Sequence, residues 1–61
     1  MDDKKIIIED FAKEYPFIVI KDVVQLPHLG DHYYAVMGND KNGFYEASVF
    51  VDNNTVLILP E

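Results

Sequence analysis

The chain reads as an α+β fold, an N-terminal helix packed on a four-stranded antiparallel β-meander. Apolar residues recur at helical spacing as far as Tyr15, and from Pro16 onward the texture changes to β-branched and aromatic runs. Every break between those runs is short, which makes consecutive strands neighbours and the sheet order 1-2-3-4. Residues 1–61 then form a single small two-layer domain.

The helix is expected over residues 3–14. Asp2 or Asp3 can cap it, because a carboxylate there accepts from free backbone amides and meets the positive end of the helix dipole. Ile7, Ile8, Phe11, Ala12 and Tyr15 fall on one face, and Glu9, Asp10, Lys13 and Glu14 on the other. Three successive isoleucines, Ile6 to Ile8, favour a strand instead, but the helical pattern runs unbroken to Tyr15. Pro16 stops it by pushing Tyr15 out of the α region.

Strands are expected over 17–26, 32–37, 44–51 and 55–59. The first is interrupted by Lys21-Asp22, which puts a charge on each face and signals a bulge, a bend or an exposed edge. Pro27 to Asp31 is a loop. Gly38 to Gly43 reads as a hairpin connection ending in Asn42-Gly43, a pair that favours primed turns. In the third strand Tyr45, Ala47, Val49 and Val51 alternate with Phe44, Glu46, Ser48 and Phe50. The first set should face the helix, with Tyr45, Val49 and Val51 against Ile7, Ile8 and Phe11. Asp52-Asn53-Asn54 makes a tight turn, and Pro60 ends the last strand.

Tyr34-Ala35-Val36, Gly43-Phe44-Tyr45-Glu46-Ala47 and Val49-Phe50-Val51-Asp52-Asn53-Asn54-Thr55 with Leu57 resemble the closing hairpin of PepSY-type domains. The resemblance spans residues 34–57, with Asn54-Thr55 standing where that family has Thr-Gly. It implies a strand ending in an aspartate-led turn, followed by a short apolar strand.

The charge is −6, cysteine is absent, and all five basic residues are lysines: Lys4, Lys5, Lys13, Lys21 and Lys41. Without cysteine there is neither a disulfide framework nor a thiolate metal cluster. Without arginine, which supplies the bidentate fork for phosphate and guanine, an acidic chain is unsuited to nucleic acid or to an anionic membrane surface. The apolar content, 49%, is too high for a disordered acidic tail. Three isoleucines after Lys4-Lys5 are too few for a signal peptide, so a cytoplasmic location is expected and the Asn53-Asn54-Thr55 glycosylation triplet has no context.

His28-Leu29-Gly30-Asp31-His32 is the one cluster of metal-ligand types. His28, Asp31 and His32 can supply nitrogen and oxygen donors, but Pro27 and Gly30 oppose a helix that would align the rings, and a polar turn explains them as well. Asp22 and Glu46 are carboxylates within strands, which a solvated outer sheet face accommodates without acid–base chemistry. Ser48 lies in mid-strand without an elbow turn. The Asp40-Lys41-Asn42-Gly43 stretch fails as a calcium loop, since its first and twelfth positions would be Gly38 and Val49. No cofactor and no enzymatic activity are expected.

Aromatic residues carry the remaining signal. Alternation forces them onto both faces of the sheet, and one helix covers one face. Phe44 and Phe50, with Tyr33, are left on the other, and the uncharged last strand containing Ile58 is an edge that natural proteins normally blunt or pair. The expected function is therefore a small acidic interaction module, a regulator or inhibitor. In its most specific, phage-type form, the carboxylates Glu9, Asp10 and Glu14 occupy the basic groove of a nucleic-acid-binding protein. A homodimer through the edge or the outer face is a related expectation. The alternative is a metal or small-ligand site in the loop 28–32.

Overall fold

The computed structural model describes residues 2–60; Met1 and Glu61, the ends of the expected domain, lie outside the described residues. One helix, α1 (Asp3–Glu14), precedes strands β1 (Val19–Gln25), β2 (Tyr33–Asp40), β3 (Gly43–Asp52) and β4 (Thr55–Ile58). The strands form one antiparallel sheet in the order β1-β2-β3-β4.

Asp2 is the helix cap, its side chain accepting from the Lys4 amide at 3.1 Å. The helix ends before Tyr15-Pro16, as a proline requires. It lies across the β3–β4 half of the sheet's inner face, with Ile7 and Phe11 buried against Val36, Val49 and Val51. Tyr45 packs at the rim of this core, edge-on to Phe11 with ring centroids 6.3 Å apart.

Ile8 is a correction. It was expected in the core but is 48% exposed, while Ile6 packs against the cluster in its place. The helix sits towards β4, so Ile8 reaches out over β1 into a shallow hollow beside Ile20 and Val23.

The Lys21-Asp22 interruption is a bulge: Ile20 pairs with Gly38 and Asp22 with Met37, leaving Lys21 without a partner. The kinked β1 backbone presses down on Gly38, where an added Cβ would stand 2.0 Å from the Val19 carbonyl oxygen. Gly38 is thus a buried strand residue rather than the start of a turn, and β2 continues three residues past its expected end at Met37.

The two hairpin turns exchange character relative to the expectation. Between β2 and β3 the connection is only Lys41-Asn42, neither with a positive φ, while Gly43 takes φ 115°. Asp40 Oδ1 accepts from the Asn42 amide at 2.8 Å, an Asx turn that selects this geometry over a primed one. The primed turn is instead Asn53-Asn54, with φ 49° and 65°, between the paired residues Asp52 and Thr55. Asparagine tolerates the left-handed region better than other residues with a side chain.

Candidate interaction surface

The strand register sorts the side chains of the outer face. Tyr33 pairs with Phe50 and Phe50 with Leu57; Val24 pairs with Ala35 and Ala35 with Ser48; Asp22 pairs with Met37 and Met37 with Glu46. No second layer covers this face among the described residues. The Tyr33 and Phe50 rings stack at 4.8 Å between centroids, and Leu57 beside them is 48% exposed. Phe44 is 72% exposed and stands at the far end of the face with Val19.

Carboxylates frame the apolar rows. Asp22 and Glu46 flank Met37 between the Tyr33–Phe50 stack and Phe44, and Asp52 lies beyond Phe50. Both strand carboxylates noticed in the sequence therefore point to solvent on the outer face, where hydration stabilises them.

Three of the expected contact residues, Tyr33, Phe44 and Phe50, share this face. The fourth does not: Ile58 pairs with Val49 and so lies on the helix side, at the margin of the core. Glu9, Asp10 and Glu14 lie on α1, on the opposite side of the sheet from the aromatic cluster, so the structure does not bring the two expected contact sets together. Asp10, expected on the solvated face of the helix, is half-buried beside Ile6.

The loop 28–32 holds one polar contact that sequence spacing could not reveal. His32 Nδ1 lies 2.7 Å from Asp3 Oδ2, across a separation of 29 residues, and the Tyr34 hydroxyl donates to the same oxygen at 3.1 Å. The first turn of the helix is thereby pinned to the start of β2. His32 lowers the Asp3 pKa, against an opposing effect of burial. Asp3 in turn raises that of His32, first by hydrogen bonding and then by its charge. Burial, and then the bond to Asp3, pushes Tyr34 up. His28 and Asp31 are exposed, and no group of three or more His, Asp or Glu side chains at metal-binding proximity occurs among the described residues.

This contact gives a pH-dependent term in stability. A lowered carboxylate stabilises above its ordinary value, 3.8, and that contribution is lost as pH falls through the lowered folded value. A raised imidazole stabilises below its ordinary value, 6.5, and that contribution is lost as pH rises through the raised folded value. Both are fully present only between those limits, and the 59% exposure of the His32 side chain screens the pair. His32→Gln should therefore lower the urea midpoint at about pH 5.5 and leave it nearly unchanged at about pH 9. An equal loss at both pH values would show that the His32 charge contributes nothing.

No protein-family model, curated protein or solved structure matches the chain. No helix among the described residues is long and apolar enough to cross a membrane.

Proposed function

We propose that this chain is a non-enzymatic interaction module that binds another protein through the outer face of its sheet, as a small regulator or inhibitor. The carrying observation is what that face is made of. The Tyr33–Phe50 pair with Leu57 and Val24 makes one apolar end and Phe44 with Val19 the other. Met37 lies between Asp22 and Glu46 in the row separating them, and each charged residue paired on the face is a carboxylate: Asp22, Glu46 and Asp52. Exposed large apolar side chains interleaved with charged ones of a single sign mark contact surfaces.

Charge complementarity selects the partner chemistry: an apolar ridge flanked by lysine or arginine. Nucleic acid is repelled by the same carboxylates. Proteins that bind nucleic acid present basic surfaces of this kind, and a regulator seated on one acts by exclusion. The reading includes a cytoplasmic setting, which suits a chain without cysteines.

The test is a titration of the isotope-labelled protein, followed by amide NMR, with two synthetic amphipathic peptides, one of leucine and lysine and one of leucine and glutamate. The leucine–lysine peptide should shift resonances around Tyr33, Phe44, Phe50 and Leu57, and the leucine–glutamate peptide should not. Shifts confined to Glu9, Asp10 and Glu14, or equal responses to both peptides, would overturn the assignment of the surface.

A further inference from the structure

The two edges of the sheet are built differently. At β1 the bulge at Lys21 breaks the register, and Asp22 Oδ1 accepts from the Val23 amide at 2.9 Å. That edge is blunted by a kink, by charge and by a side chain that occupies a backbone donor. At β4 the Leu59 amide donates to the Ser48 carbonyl at 2.8 Å. Antiparallel alternation then turns the backbone groups of Leu57 and Thr55 towards β3 and those of Val56 and Ile58 outward. Among the described residues no hydrogen bond reaches those outward groups. Residues 53–60 carry no charge.

We propose that the occupant of this edge is β4 of a second copy of the chain, paired antiparallel about a two-fold axis at Leu57. The edge is self-complementary in that register. Val56 of one copy faces Ile58 of the other, so the outward amide and carbonyl of each are satisfied reciprocally, and Leu57 meets its own copy on the outer face. Nothing charged opposes its like along the seam. Stacking two outer faces would instead set Asp22, Glu46 and Asp52 against the same carboxylates, which disfavours that route to a dimer.

A four-residue edge alone falls short of the roughly 800 Å² per partner that a stable interface needs. The second layer supplies more. Because α1 lies over β3 and β4, continuing the sheet at about 4.8 Å per strand sets the two helices about 10 Å apart. That is within the range of packed helices, about 8–10 Å. The helix flank with Ile6, Glu9, Asp10 and Lys13 borders a groove beside Asn54 of the β3–β4 turn, and its one lysine is available to the two carboxylates of the other copy. The dimer also joins the two outer faces into one, but its formation does not depend on the docking of a foreign protein there.

The experiment is sedimentation equilibrium on the full chain as wild type, Leu57→Lys, Leu57→Glu and an equimolar mixture of the two variants, with circular dichroism to verify each fold. Wild type should be dimeric at about 100 μM, each variant alone should dissociate at least about tenfold more readily, and the mixture should recover the dimer by pairing lysine with glutamate at the axis. Ile58→Pro removes an outward donor and no bond to β3, though it also trims a side chain at the core margin, and should be folded but monomeric. Phe44→Lys, away from the edge, should leave the dimer intact. A monomeric wild type, which leaves the edge to a foreign strand, overturns the proposal. So does a mixture no better associated than its components.

Discussion

Val49→Asp should leave the chain unfolded at neutral pH, with no cooperative melting transition by circular dichroism. Val49 is fully buried between Ile7, Phe11 and the neighbouring strands, and no cation stands among the residues of that cluster. A carboxylate placed there loses its hydration without a partner, a loss of about 4–5 kcal/mol or more. A single core in a chain this short rarely supplies more than about 3–5 kcal/mol, so the loss removes all of it. Because burial raises the pKa of the new carboxyl, whatever structure survives should strengthen as pH falls and weaken as it rises. Phe44→Asp is the matched control: same strand, opposite face, already exposed, and expected to melt within about 0.5 kcal/mol of the wild type. Equal melting of wild type and Val49→Asp would mean that the faces of β3 are reversed.

Gly38→Ala should have the next largest effect, through sterics. The added methyl stands 2.0 Å from the Val19 carbonyl oxygen and 3.0 Å from the Ile20 Cα, all of it backbone, so rotamer changes cannot relieve it. β1 must lift away from β2 at the bulge, at a cost of about 3 kcal/mol or more. The signature is local: amides of Val19 to Gln25 should lose hydrogen-exchange protection in Gly38→Ala before those of β3 and β4 do. A loss below about 0.5 kcal/mol would show that the bulge yields freely.

How much of this was legible in the sequence depended on the range of the interaction. The helix and the facing of β3 followed from periodicity, because the alternation of Tyr45 to Val51 is decided by burial alone, and the strand order followed from the short connections. Gly38 was misread because the reason for a glycine there lies in another strand, where the Lys21 bulge brings backbone onto backbone. The β2–β3 turn was misread because the Asp40 side chain, rather than the Asn42-Gly43 pair, selects its geometry. Ile8 looked like core until the helix took its place over β4 instead of β1. The bond between His32 and Asp3 had no sequence signal at all: neither residue predicts the other across 29 positions. Of the expected contact residues, the aromatic set was readable from alternation. The carboxylates that frame it, Asp22 and Glu46, became a rim only when the register placed them on either side of Met37.

The proposed division of labour between the two sheet faces, inner for stability and outer for contact, is tested most directly by isothermal titration of the leucine–lysine peptide into wild type and Phe44→Gln/Phe50→Gln. Phe44 is 72% exposed and Phe50 packs on Tyr33 outside the buried core, so the double variant should stay folded. Its affinity for the peptide should fall at least about tenfold, or about 1.4 kcal/mol. Unchanged affinity in the folded double variant would contradict the assignment of the outer face as the contact surface.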